Sequence, residues 1–439
     1  MGTEDDVQRL QRELEDLRRD YRRLHDSASY RLGNLLVGAM RSPRKALALP
    51  VELFRLGREL RRRRCATEPG AEQVAEVEGA FRDWCAHVQG ESAPFVVMIF
   101  SGTTHVQGTR GNRPIRQAQA LLRQGAAVLF SYHRGRVDEP IPTSDEPGLL
   151  QSPADITLGL QERIASADYG VARKLCVISY PRVETPEMVS LFREQGWTVQ
   201  YDCRDDWEEF ARVGMARWYV RHAERRLVES VDATLCVSRP LCEKMQAMAP
   251  GRPVHLSPNA VEAGFVPVEY QREPARDPGV VGYFGHLSDA WFDWSSFLEV
   301  ARQCPELEFE VIGHSAPSGL DLPANVTLLG PKPWTELHTY AARWSAAVIP
   351  FRMGRLADGV DPIKIYEYLA LGLPVVSFRM PQIEDYPATE TVSSVDAFAE
   401  ALRRACVEEP DPETMYAFVA KNTWENRARE LLSFVAGSA

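Results

Sequence analysis

Residues 361–377, DPIKIYEYLALGLPVVS, read as a short helix with both ends marked that runs directly into a strand. Asp361 is placed to cap the helix, and Pro362 suits its first turn, where a missing N–H costs nothing. Gly372 is the left-handed stop and Pro374 forbids continuation, after which Val375 and Val376 open an extended apolar run. Between the ends, Ile363, Ile365, Leu369, Ala370 and Leu371 make the helix apolar on nearly every side, so it should be buried. Only Lys364 and Glu367 carry charge, and their spacing puts them on one face. Two charges on one face of a buried helix that feeds a strand predict a cleft. The blander alternative is an amphipathic helix of an α/β domain with a surface lysine–glutamate pair.

Working outward, strands and helices alternate in two separate runs. In the first, Pro94 precedes FVVMIF (95–100), a continuous apolar run suited to a central parallel strand. The loop after it is punctuated by Gly102, Gly108 and Gly111. A helix over 113–123 and a strand over 126–132 complete a βαβ unit, although these glycines do not spell the dinucleotide fingerprint. Further strands are expected at 175–180, 198–203 and 233–238, with helices at 185–196 and 216–230. After a proline- and charge-rich linker over 267–278, GVVGYFG opens the second run. It has strands ending at Gly285, Gly313, Gly330 and Phe351, a helix over 334–343, and then the quoted helix and strand. Helices at 394–406 and 414–435 close the chain. The domain expectation is a helical arm (1–66), a helical connector (67–93), an α/β domain (94–266), a second α/β domain (267–411) and a final helix (412–439).

Composition is that of a soluble globular protein, with 44% apolar and 26% charged residues. No window has the apolar length to span a bilayer, and the start does not resemble a signal peptide. Eight cysteines lie scattered with no C-x-x-C or zinc spacing, and the histidines form no H-E-x-x-H cluster. The expectation is reduced, packing thiols in a cytoplasmic protein, with no metal site.

Charge is unevenly placed. Residues 1–64 hold 16 Lys/Arg against 10 Asp/Glu, whereas the rest of the chain is strongly acidic within a net charge of −10. Val7, Leu10, Leu14, Leu17, Tyr21 and Leu24 alternate steps of three and four, a heptad seam predicting a short coiled coil over 7–28. Self-association as a homo-oligomer and packing on the chain's own body both fit that seam. Residues 41–64 carry nine basic and two acidic side chains beside Leu47, Leu49, Leu53, Phe54 and Leu56. Such an amphipathic basic segment suits an anionic membrane surface, placing the protein peripherally at the inner face of the membrane. A solvated linker is the alternative, and no motif supports nucleic acid.

The quoted stretch resembles the donor-site helix of nucleotide-sugar glycosyltransferases of the GT-B fold, above all the retaining bacterial "group 1" family, whose pattern runs P-x-K-x-x-E-Y-L-A-x-G-x-P-V-V. The order YDCRDDWEEF, VDATLCVSRPL, LSPNAV in the first run is similar to the end of the amino-terminal domain in that group. The resemblance spans about residues 94–435. It implies two Rossmann-like, doubly wound domains facing an interdomain cleft, with the last helix crossing back to the first domain. Donor contacts are implied at Gly285, His286, Gly313, Gly330, Arg352, Lys364, Ile365 and Glu367, the glutamate on the ribose diol and the cations on diphosphate. Gly102 and Arg113 would form an acceptor or phosphate loop, with Arg110 beside them. His105, Asp205 and Asp206 are the candidate catalytic groups, the acids lying at a strand's carboxyl end where such sheets hold ligands. Helix capping ahead of Trp207 is the other reading of Asp205 and Asp206.

Two departures matter. Family members commonly place an arginine after the first glycine turn, where this chain has His286. The longer E-x7-E pattern has an acid at the position of Gly359; either Asp358 or Asp361 touches the transferred sugar in its place, or this subgroup dispenses with the acid. The reading is therefore a glycosyltransferase moving a hexosyl or related group from a nucleotide diphosphate sugar to a saccharide or lipid-linked acceptor in cell-envelope glycan assembly, with no cofactor or metal. A catalytically silent scaffold and a nucleotide-sugar epimerase are the alternatives.

Overall fold

The computed structural model describes Leu49, Leu53 and residues 69–107, 111–265 and 279–436. The coiled-coil seam, the linker 267–278, Gly108 and Arg110 lie outside the described residues, as does the basic segment 41–64 apart from Leu49 and Leu53. No described helix is long and apolar enough to cross a membrane.

Strands β1 (Phe95–Phe100), β2 (Ala127–Tyr132), β3 (Leu149–Pro153), β4 (Arg173–Ile178), β5 (Thr198–Cys203), β6 (Ala233–Cys236) and β7 (Val254–Leu256) form one sheet in the order β3-β2-β1-β4-β5-β6-β7. Every pairing is parallel. The continuous apolar run of β1 is explained by its two buried faces: Val96, Met98 and Phe100 enter one core, Val97 and Ile99 the other. The helix Ala71–Gly90 belongs to the first of these cores, contributing Val77, Phe81, Trp84 and Val88.

Strands β8 (Val280–His286), β9 (Glu308–His314), β10 (Val326–Gly330), β11 (Ala346–Ile349), β12 (Val375–Phe378) and β13 (Thr389–Val392) form a second parallel sheet, β10-β9-β8-β11-β12-β13. In both sheets the order reverses beside the first strand, between β1 and β4 and between β8 and β11. The crevice outside the carboxyl ends at such a reversal is where open α/β sheets bind ligands.

Two sequence-based helices are broken. The expected 414–435 helix is split into Pro412–Lys421 and Trp424–Ala436, because Asn422 and Thr423 leave the helical path and Val261 inserts alongside. There the Val261 amide donates to the Asn422 carbonyl (3.0 Å) and the Trp424 amide to the Val261 carbonyl (3.0 Å). The last helix then packs Trp424, Ala428, Leu431 and Val435 against Ile115, Ala118 and Leu121 of the helix Arg113–Arg123. The expected 334–343 helix reduces to a 3-10 turn, Trp334–Glu336, and the short helix Leu337–Ala341.

Candidate functional site

The quoted segment forms the helix Ile363–Ala370, stopped by Gly372 at φ +67° and followed by β12. Asp361 does not cap it. Its buried carboxylate instead accepts the Asn259 amide (2.6 Å), the Tyr366 hydroxyl (2.9 Å) and the Tyr386 hydroxyl (3.1 Å). Asn259 comes from the first half of the chain and its side-chain amide returns a bond to the Asp361 carbonyl (2.5 Å), so this group stitches the two halves together. Burial pushes the Asp361 carboxyl up to about 6.

Lys364 and Glu367 line a cavity of about 420 Å³ at the carboxyl ends of β1, β5, β8 and β11. The Lys364 ammonium sits 4.5 Å from the Phe351 ring centroid and 5.4 Å from that of Tyr283. Among the described residues it has no ion-pair partner, and burial pulls its pKa down to about 8. Its close approach depends on two glycines. A Cβ on Gly285 (φ +149°) would lie 3.0 Å from the Lys364 Cε, and one on Gly313 would lie 2.0 Å from the Gly285 carbonyl oxygen. Glu367, half-buried, accepts the Trp334 indole N–H (3.0 Å), and burial raises its pKa. The Trp334 ring also meets the Arg116 guanidinium (4.8 Å) and the Phe265 ring (4.6 Å).

Across the cavity, Asp205 lines the wall, and burial pushes its carboxyl up to about 6, with the Arg204 guanidinium 3.6 Å away. Arg113 also lines it, but its guanidinium is committed: Asp202, fully buried, takes it at 2.8 Å, and the Pro258 carbonyl and Asn259 side chain accept from it at 3.1 and 3.3 Å. Any phosphate would compete with that pair.

Most of the other sequence candidates fall outside the cavity. Asp206 caps the helix Trp207–Arg212 by accepting the Glu209 amide (3.1 Å) and pairs with Lys244 (2.6 Å). His105 packs edge-on against Tyr132 at 5.8 Å. Gly102 is pinned under Tyr180, whose ring would be 2.4 Å from an added Cβ. Ile365 faces the core, and Gly330 (φ +71°) ends β10 at a register shift. Arg352 is exposed and donates to the Asp289 carbonyl (3.2 Å), while Asp358 ends the short helix Arg355–Asp358. His286 does line the cavity. Sequence reasoning missed Arg116, Asn259, Trp334 and Trp291; an Arg113-x-x-Arg116 spacing on the helix after a glycine loop was the available signal for the first of these.

Residues 279–407 match the family described as Glycosyl transferases group 1. A curated relative, the putative teichuronic acid biosynthesis glycosyltransferase TuaH of Bacillus subtilis (strain 168), is 28% identical over 232 residues, covering 47% of this chain. The chain spans 56% of that relative's length. Among solved structures, WaaG, a glycosyltransferase involved in lipopolysaccharide biosynthesis, superposes with a TM-score of 0.55 at 15% identity, covering 78% of this chain and 100% of that one. The E. coli structure titled trehalose-6-phosphate, bound with UDP-2-fluoro glucose, gives 0.56 at 11% identity over 78% of this chain and 99% of that one. Sucrose-phosphate synthase from Thermosynechococcus elongatus gives 0.52 at 15% identity, covering 78% and 96%. At these identities the superpositions speak to fold alone.

Proposed function

With residues 279–407 a group 1 glycosyl transferase domain in a GT-B fold, we propose that the chain transfers a hexosyl or related group from a nucleoside diphosphate sugar to a saccharide or lipid-linked acceptor of the cell envelope. The observation that carries this reading is Lys364, a half-buried cation without an ion-pair partner among the described residues, facing a 420 Å³ cavity beside Gly285 with Glu367 one turn on. The cation suits the diphosphate, and the free lone pairs of Glu367 suit a ribose diol. In the transfer, the acceptor oxygen bonds to the sugar's C1 on the face from which the phosphate departs, as the C1–O bond to phosphate breaks and its electron pair passes to the diphosphate. Asp205 would take the acceptor proton, and Lys364 would stabilise the charge that develops on the leaving group. Retention at the anomeric carbon belongs to the reading through the group 1 resemblance, and the anomeric NMR signal of the first product tests it.

The test is thermal-shift binding of the purified chain to UDP, GDP, dTDP, ADP and CMP, with Glu367→Ala alongside. Stabilisation by one diphosphate, lost in the variant, is expected. No shift with any nucleotide would remove the reading.

A second reading, a silent scaffold, is favoured by one observation. A Cβ at Gly359 would lie 3.3 Å from the Asp206 Cβ, so the acid of the longer family pattern is absent and its place is tightly packed. Donor hydrolysis or transfer by the wild type, abolished in Asp205→Asn, would exclude it. Residues 41–64 support an inner-face, membrane-peripheral location through their basic, apolar-lined sequence. Deleting residues 1–64 should abolish binding to phosphatidylglycerol vesicles; retained binding would place any membrane contact elsewhere.

A further inference from the structure

His286 and His314 are the final register pair of β8 and β9, neighbours across two parallel strands, with ring centroids 4.9 Å apart and planes at 86°. Each ring is oriented through Nδ1, which lies 2.9 Å from a serine hydroxyl, Ser288 for one and Ser315 for the other. Ser315 holds its contact from a left-handed backbone, φ +67°, that a non-glycine residue adopts at a cost. This anchoring leaves Nε2 of each ring for a ligand. His286 directly follows Gly285, whose Cβ position would be 3.3 Å from the Lys364 Nζ, so His286 adjoins that ammonium.

We infer that His286 and His314 are a proton-coupled seat for the terminal phosphate of a nucleoside diphosphate, an inference that rests on the proposed donor site. His286 lines the same cavity as Lys364 and Glu367 of the helix Ile363–Ala370, and in the loops after β8 and β11 the Arg352 guanidinium donates to the Asp289 carbonyl. Burial first, then His314 and Lys364, lower the proton affinity of His286. In the free protein a second imidazolium beside that ammonium is therefore disfavoured. A phosphate dianion reverses the balance, because opposite charge stabilises the protonated ring. Binding then draws a proton from solvent, and the affinity weakens as pH rises through the histidine pKa of the bound state. The sugar nucleotide offers no such dianion, since its outer phosphate is esterified, whereas a terminal phosphate ionises a second time near pH 6. The seat thus distinguishes the leaving group from the donor.

The test is an NMR pH titration of the histidine ring signals, free and with saturating UDP, GDP, dTDP or ADP in turn. The His286 pKa should rise by about one unit on binding, equivalent to a roughly tenfold tightening of the protonated form. His286→Gln/His314→Gln should bind weakly with a flat pH profile between 6 and 7.5, and His286→Gln/His314→Lys, with fixed charge, should restore binding while staying flattened. Diphosphate binding that leaves both histidine titrations unmoved overturns the inference and spares the donor-site reading. So does a shift that appears only with added Mn2+ and vanishes with EDTA, which would assign the rings to a metal. Failure of all four diphosphates to bind removes the donor site and this seat together.

Discussion

Arg113, on the helix after β1, and Lys364, on the helix before β12, are both basic side chains at the carboxyl edge of a parallel sheet, and both line the same cavity. Arg113 is paired from below by Asp202 and bound by a carbonyl and an amide from the 258–259 turn. Lys364 rests on two aromatic rings and meets no carboxylate among the described residues. The buried acids differ in the same way. Asp202 has a guanidinium and the Ser179 hydroxyl (3.1 Å), while among the described residues Asp361 has an amide and two phenols as donors. Sharing a strand order does not fix how a sheet's edge handles charge. The first half spends its cation on its own architecture, and the second leaves one available.

The comparison breaks most visibly at Asp202. Asp202→Ala strands a buried guanidinium, so urea unfolding should show a loss of about 3–5 kcal/mol. A loss under 1 kcal/mol would mean that Arg113 is as available as Lys364. Asp361 sharpens the contrast through pH. Its folded-state pKa of about 6 lies above the unfolded value near 4, so the folded chain binds that proton more tightly. Stability from this group is fully present below the unfolded pKa and is lost as pH rises through about 6. Between pH 4 and 7 the wild type should lose on the order of 2–3 kcal/mol relative to Asp361→Asn. Parallel pH profiles for the two proteins would show that Asp361 is as well compensated as Asp202. Lys364→Met completes the series. Losing one charge-assisted contact should weaken diphosphate binding by roughly 10- to 100-fold while leaving the melting temperature unchanged or higher. A clear drop in melting temperature would make Lys364 a structural cation like Arg113.

Much of the fold was legible because it follows local rules. Gly372 and Pro374 end their helix as turn chemistry requires, and the two-faced burial of β1 is written in its unbroken apolar run. The two charged positions of the quoted helix do reach the cavity for the same reason, since helical spacing alone puts them on one face. What was not legible depends on partners distant in sequence. Asp202 meets Arg113 across 89 positions, and Asp361 meets Asn259 across 102. No local pattern tells a capping acid from one claimed by a distant amide. The break at Asn422–Thr423 is of the same kind, because the residue that interrupts the helix is Val261. β3 was missed because LLQSP ends in proline, which an edge position tolerates.

The bridge between Val261 and Thr423 has a mechanical consequence. One passage of chain between the halves departs after Val261 and the other returns at Thr423, hydrogen-bonded side by side, so a rotation of one half against the other would have its axis near this spot. Atoms close to such an axis travel little, and those across the cavity travel far. The gap between Asp205 on one wall and Lys364 on the other would then widen or narrow with that rotation.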